Sequence, residues 1–395
     1  MAGEVWRTRE AVRPGQARVL AVAGLLALGG AVGVATFGDG PHQVLLWLVG
    51  LALGITLYHA AFGFTGAYRD LFLGRGSVGV QAQLGLIAMT CVPFALLFAH
   101  ADRLGLDLYG AWAPVGSQVA IGAFLFGIGM QLGGGCGSGT LFGAGGGDAR
   151  TAVTLLFFCV GSFWASLHMG FWQSLPGRDA VVLGERLGWA TAAMLQVALL
   201  TGLLLLLRWK APDRAASRPP TDGDRSRLLR GPWNPWVGAL ALSLLAVATL
   251  LLAGHPWTIT WAFSLWGAKA AVLAGWDPSA SAFWSAPFQS AALAAPVLAD
   301  TTSVMNLGIL LGACAAAGLA GRFAPTLRIG PRPLAAAVLG GLMLGYGARI
   351  AFGCNIGAFY SGVASTSLHG WLWIAAALPG NWVGVRLRPR FELTD

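Results

Sequence analysis

Apolar residues run through this chain in long blocks rather than in alternation. The blocks cover roughly 18–37, 43–62, 78–100, 117–132, 151–172, 188–208, 234–253, 257–275, 302–320, 333–350 and 368–388. Most are close to the ~20 residues that cross a bilayer as a helix, and they lack the every-second-residue pattern of barrel strands. A shorter block near 282–298 carries Pro287 and Pro296 and is not expected to cross cleanly. The pattern predicts an all-α, polytopic integral membrane protein with about nine to eleven transmembrane helices.

The polar stretches divide the chain. Residues 1–42 read as an N-terminal arm and a first helix. The arm holds Arg7, Arg9, Arg13 and Arg18, and no small-residue cleavage site follows the apolar run near Phe37, so the helix is read as retained. Residues 43–207 form a first transmembrane repeat, 208–232 a linker, 233–390 a second repeat and 391–395 a tail. The linker carries seven Lys/Arg between Arg208 and Arg230, with Pro212, Pro219 and Pro220, and reads as a flexible basic connector. Basic residues recur at Arg322–Arg332 and Arg386–Arg390, whereas 101–116 and 173–187 are nearly charge-balanced. That asymmetry predicts a cytoplasmic N-terminus, linker and C-terminus.

Composition agrees with the pattern. The chain is 56% apolar and only 10% charged, against about 25% charged in soluble domains. Its mean hydropathy is +0.67. Many of the 17 tryptophans lie at block ends, among them Trp172, Trp233, Trp236 and Trp257, as interfacial belts require. The net charge of +9 sits in the loops between apolar blocks, so it indicates the lipid bilayer and gives nucleic acid no support.

Two stretches break the helical pattern with glycine and a thiol. Aligning Cys136 with Cys354 also aligns Gly122 with Gly340, Gly127 with Gly345, Gly129 with Gly347, Gly135 with Gly353 and Gly139 with Gly357. Upstream, Leu84, Gly85 and Cys91 match Leu307, Gly308 and Cys314. Glycines match easily by chance; paired thiols do not. The loop charges send the helix before Cys136 inward and the helix before Cys354 outward. Two pseudo-symmetric, inverted repeats with broken helices at the centre are therefore expected.

Such glycine density is untenable as lipid-exposed helix, because its backbone groups would lack partners. Close helix packing explains glycines alone. A cysteine at each break tips the reading toward a substrate path through Cys136 and Cys354, with Gly134, Gly135, Gly137 and Gly353 shaping it. Freed N–H groups at a broken helix suit an anion. Ionising a thiol at an apolar midplane is costly, so a neutral S–H donor is the expected role, and its weak grip suits conduction. Asn355 reads either as a donor to a substrate oxygen or as a helix cap. Arg349 and Lys269 are intramembrane charges, and on that ground substrate-path candidates. Cys91 and Cys314 are secondary candidates, although buried cysteines, Cys159 included, are usually small hydrophobes. Arg69 and Asp70 read as a local ion pair, His168 and His369 as interfacial residues. No C-x-x-C pair occurs, and neither a metal site nor a cofactor is expected.

These motifs carry a resemblance. GYGARIAFGCNIGAFYSG followed by SLHGWLWIAAALPGNWVGVRLRP resembles the C-terminal signature of the YeeE/YedE family of bacterial membrane proteins. QLGGGCGSGTLFGAGGG resembles its first cysteine motif, and FTGAYRDLF its early Arg-Asp segment. The resemblance implies an hourglass-like helical fold in the bacterial inner membrane that imports thiosulfate, passed along by hydrogen bonds from inward-pointing thiols. Carried over by motif, those thiols are Cys136 and Cys354. Family members hold further cysteines early and in the second half. Here Gly63 and Thr65 occupy the early region, and 280–303 has no thiol. Related sulfur or selenium compounds stay open as substrates. The resemblance also implies a sulfur-carrier partner of the TusA type. A membrane-bound sulfur-transfer enzyme with a persulfidated cysteine is the competing class, but neither thiol has an obvious base beside it. The sequence therefore favours a permease over an enzyme.

Overall fold

The computed structural model describes residues 14–38, 40–210, 226–325 and 328–393. Arg7, Arg9 and Arg13 of the arm, residues 211–225 of the linker and the last two residues of the tail lie outside the described residues.

The chain is helical throughout. Its first half holds α1 (Pro14–Phe37), α2 (Pro41–His59), α3 (Phe64–Phe72), α4 (Val78–Leu104), α5 (Ser117–Gly133), α6 (Gly137–Gly145) and α7 (Ala149–Ser166). Two short helices, α8 (Met169–Gln173) and α9 (Leu183–Leu187), lead to α10 (Trp189–Lys210). After the linker come α11 (Ser226–Arg230), α12 (Pro235–Ala253), α13 (Thr260–Leu273), α14 (Pro287–Ala294), α15 (Thr301–Leu319) and α16 (Pro331–Ile350). A π-helical turn, Asn355–Tyr360, runs into α17 (Ser361–Ala364), and α18 (Leu368–Leu387) closes the fold. One pair of two-residue strands, Val115–Gly116 and Gly177–Arg178, ties two loops together.

Local chemistry sets many of the starts. Proline opens α2, α12, α14 and α16, where a missing N–H costs nothing. The side chains of Asp148, Asn234 and Asp300 accept from the first-turn N–H groups of α7, α12 and α15.

Among the described residues, nine helical stretches are long and apolar enough to cross a membrane, in agreement with the expected nine to eleven. The blocks at 368–388 and 257–275 are not among these nine, and the second also differs from its expectation in length. Its helix, α13, has 14 residues, roughly 21 Å, too short to span.

Helix directions follow from contacts. The carbonyl of His59, at the end of α2, accepts from Trp233 N–H just before α12, at 2.8 Å. This junction defines the linker face. Helix α12 runs from it to Gly254, whose carbonyl accepts from Tyr109 N–H on the far face. Helix α15 runs beside α2 in the same direction, with Gly50 against Gly308 and Gly54 against Ile309 and Ala313. Helices α5 and α16 are antiparallel, with Gly122 against Gly347 and Gly133 against Gly340. Helix α18 runs parallel to α5 on its other side, where Gly127 meets Ala377 and Gly380 meets Phe124.

At these crossings a methyl group has no room. A Cβ on Gly340 would lie 2.3 Å from the backbone nitrogen of Gly133, and one on Gly127 would lie 2.3 Å from the carbonyl of Ala377. The glycine spacing noted in the sequence is thus where the halves of the chain press backbone to backbone. Burial separates the layers. In α1, 11% of the most apolar window is buried, and in α10, 22%, against 67% for α5–α6 and for α15. Helices α1 and α10 form the lipid-facing flanks, and the broken helices lie at the core.

Candidate functional site

Both broken helices bring a cysteine to the centre by one local device. Cys136 precedes α6 and Cys354 precedes the π-helical turn, each in extended backbone (φ −87°, ψ −165° and φ −104°, ψ −166°). Each cysteine sits at the N-cap, beside unpaired helix N–H groups; Cys354 accepts a capping hydrogen bond and Cys136 does not. Ile356 N–H donates to Cys354 Sγ at 3.4 Å. The amides of Gly357 and Gly137 also face that sulfur. The amides of Ser138, Gly139 and Phe64 face Cys136 Sγ, and Ser138 Oγ lies 3.3 Å from it. A sulfur that accepts from these amides keeps its S–H proton as a donor.

The glycines make this possible. A Cβ on Gly135 would lie 2.8 Å from Thr140 N, and one on Gly353 would lie 2.7 Å from Ala358 N. In both breaks the backbone folds against its own helix start. Gly137 carries the contact between the halves, since a Cβ there would come within 2.8 Å of Cys354 Sγ and 3.4 Å of Ile259 Cγ2. Cys136 and Cys354 share one buried cluster and lie within electrostatic range of each other.

Carbonyls freed by the breaks find partners, as a membrane interior demands. Trp373 Nε1 donates to Gly353 O at 3.2 Å, and Thr154 Oγ1 to Gly133 O at 3.0 Å. Arg150 donates to Leu132 O. Arg388 Nη1 donates to Gln131 O at 3.0 Å.

Short helix α3 also starts at the centre, with the Phe64 amide facing Cys136 and Tyr68 directed at the second break. Asn355 Nδ2 donates to Tyr68 Oη at 3.4 Å, and both residues are fully buried. The Asn355 side chain thus holds α3 against the second break, while its Oδ1 has no partner. On the linker-face side, Gln131 Nε2 donates to Thr65 O at 3.1 Å and to Asn381 Oδ1 at 2.9 Å.

Toward the far face lies a cavity of about 230 Å³, lined by Thr258, Thr260, Ser264, Arg349, Phe352, Gly353 and others. It abuts the residue immediately before Cys354. Arg349 and the second break thus share a cavity wall. Lys269 is not on that wall: its ammonium donates to the carbonyls of Leu293 (2.7 Å) and Ala295 (2.6 Å), closing the end of α14. Cys91 is buried on α4 near the carbonyl of Val363, at 4.0 Å, and Cys314 is half-buried on α15. Cys91 belongs to the same buried cluster as Cys136 and Cys354, and Cys314 lies outside it. His369, expected at an interface, is buried and hydrogen-bonded to Ser367 at 2.8 Å.

Sequence reading missed Tyr68, Gln131, Thr258, Thr260 and Ser264. Tyr68 sits inside the quoted FTGAYRDLF and Gln131 opens QLGGGCG, so a polar residue in a glycine-broken apolar block was the available signal.

The family model described as sulphur transport matches residues 59–383. The thiosulfate transporter TsuA of Spirochaeta thermophila is 26% identical over 362 residues, 86% of this chain and 97% of that protein. TsuA of Escherichia coli is 27% identical over 367 residues, 87% of this chain and 94% of its own length. The probable transporter YedE of Escherichia coli is 30% identical over 163 residues, 41% of this chain and 40% of that protein.

Proposed function

The chain belongs to the sulphur transport family, a family of transporters rather than enzymes, and from that membership we propose an inner-membrane permease that imports thiosulfate or a closely related small sulfur anion. The ion passes through the centre, between Cys136 and Cys354. The observation that carries this reading is the seating of Cys354 Sγ against Gly137, with backbone amides facing both thiols. In this reading the two halves are inverted repeats, because α5 and α16 run in opposite directions to breaks of the same form. The basic linker face is cytoplasmic, so transport runs from the far face to the linker face.

Magnitudes favour passage over trapping. A neutral hydrogen bond contributes about 0.5–1.5 kcal/mol net, and a thiol is a weak donor. Each helix start adds up to ~2 kcal/mol toward an anion in a partly buried site. Three starts face the thiols: those of α3, α6 and the π-helical turn. Removing an anion from water costs several kcal/mol, so these terms roughly offset the penalty without creating a deep well. Conduction requires that balance. The S–H groups hand the ion on as neutral donors. No sulfur–sulfur bond forms, which separates this reading from a persulfide mechanism.

Uptake of labelled thiosulfate into cells lacking other importers tests the proposal. Cys136→Ala and Cys354→Ala are each expected to lower uptake about tenfold, the loss of one hydrogen bond at the barrier. Wild-type uptake with unchanged rates in both variants would remove the thiols from the path. No wild-type uptake would remove the substrate assignment.

A further inference from the structure

We propose that the cavity beside Cys354 is a separate anion-binding station centred on Arg349, where an oxyanion is held before it meets the thiols. The station deepens the transport reading and rests on it for its place in the path, but the binding it predicts is measurable without transport.

Arg349 is a charged side chain near the end of a membrane-spanning helix, and among the described residues no carboxylate pairs with it. Its Nε is buried without an acceptor. Its guanidinium packs over the ring of Phe283, 5.1 Å from the centroid. A cation held inside a membrane protein requires a counter-charge or a cavity. The carboxylate of Asp300, which accepts from Trp261 Nε1 of the cavity wall at 2.9 Å, also accepts from Ser303 N–H at 2.8 Å. Lys269 is spent on the end of α14.

A second feature points at the same space. Helix α13, 14 residues long, begins at Thr260 on the cavity wall, and its N-cap, Ile259, supplies no side-chain hydrogen bond. Its first two residues, Thr260 and Trp261, line the cavity that holds Arg349, so the positive end of the helix dipole lies at that wall. The hydroxyls of Thr258, Thr260 and Ser264 line the same wall. At about 230 Å³ the space suits a small ion with a water or two rather than a larger metabolite. Guanidinium, helix start and hydroxyls together recognise a compact oxyanion such as thiosulfate or sulfate. The thiols, which favour sulfur over oxygen, then act on what this station admits.

The test uses full-length protein purified in detergent and carrying Cys136→Ala and Cys354→Ala, with calorimetric titration of sodium thiosulfate and, separately, sodium sulfate. One saturable site is expected for both salts. No site in this thiol-free protein overturns the proposal. Adding Arg349→Gln should weaken binding about ten- to hundredfold, the worth of a charge-assisted hydrogen bond. Arg349→Lys should restore part of it. Gly357→Leu tests the cavity itself with Arg349 intact, because a Cβ at 357 meets nothing nearer than 4.0 Å. Its side chain should fill the space and abolish binding. Parent-like binding in either Arg349→Gln or Gly357→Leu overturns the station. Loss of uptake in the thiol variants with this binding intact would support both sites. Binding with no wild-type uptake would sink the transport reading alone.

Discussion

The two broken helices are alike in backbone and unlike in what surrounds them. Aligned on their cysteines, Gly135 and Gly353 fold against the residue five positions on, and each cysteine occupies the N-cap of the helix that follows, though only the Cys354 thiol accepts a capping hydrogen bond. The neighbours differ. Gln131 stands where Arg349 stands in the second break, Gly134 where Phe352 stands, and Gly137 where Asn355 stands. On the linker-face side a neutral amide is tied to Thr65 O and Asn381 Oδ1. On the far-face side a cation faces a cavity. The shared backbone places a cysteine at a helix start twice, and the side chains leave a cavity with Arg349 beside one break and tie Gln131, Arg150 and Arg388 into hydrogen bonds beside the other.

The largest expected difference between the breaks is mechanical. Gly353 has φ +150°, a conformation that favours glycine, while Gly135 is not among the positive-φ residues. Gly353→Ala meets both strain and the 2.7 Å clash with Ala358 N, and should cost about 2–5 kcal/mol in thermal unfolding. Gly135→Ala meets only the 2.8 Å clash and should cost about 1–3 kcal/mol. Equal losses would mean the two breaks are strained alike. Gln131→Leu comes next. It strands the Asn381 and Thr65 acceptors and should lower stability by about 1–3 kcal/mol, whereas Arg349→Gln should leave its mark on the KM of uptake. A KM effect of the same size from Gln131→Leu would erase the distinction between the two sides. Tyr68→Phe is the mildest. It removes the 3.4 Å bond from Asn355 Nδ2 and should cost about 0.5–1.5 kcal/mol, read as a small drop in melting temperature.

Phe352 sharpens the same contrast. It holds φ +59° where Gly134 holds φ +87°, so the second break keeps a strained non-glycine residue on the cavity wall. Strain of that kind is retained where the surrounding fold fixes it.

The two cysteine breaks were readable because they are local. Cys136 and Cys354 sit at glycine-dense interruptions of apolar blocks, and membrane sequences place such interruptions where backbone is buried in protein. Arg349 was readable for a similar reason, as a charge in an apolar run. Lys269 presented the same signal and has a different role, because only the fold brings the carbonyls of Leu293 and Ala295 to its ammonium. Helix α13 was overextended for a related reason. The apolar residues from Trp257 onward include a non-helical segment, and hydropathy alone does not separate buried coil from helix.

The sequence by itself determined the membrane-helical class, the number of spanning blocks to within a few, and the two cysteine breaks. Each depends on composition or spacing within one turn or one span of chain. Tertiary structure alone decided that Gly137 meets Cys354, that Tyr68 reaches Asn355, and that α13 starts on the wall of the Arg349 cavity. Those contacts join residues more than a hundred positions apart, or turn on where a buried coil becomes helix. They form only when glycine-faced helices from both halves pack backbone to backbone, an event that no local periodicity encodes.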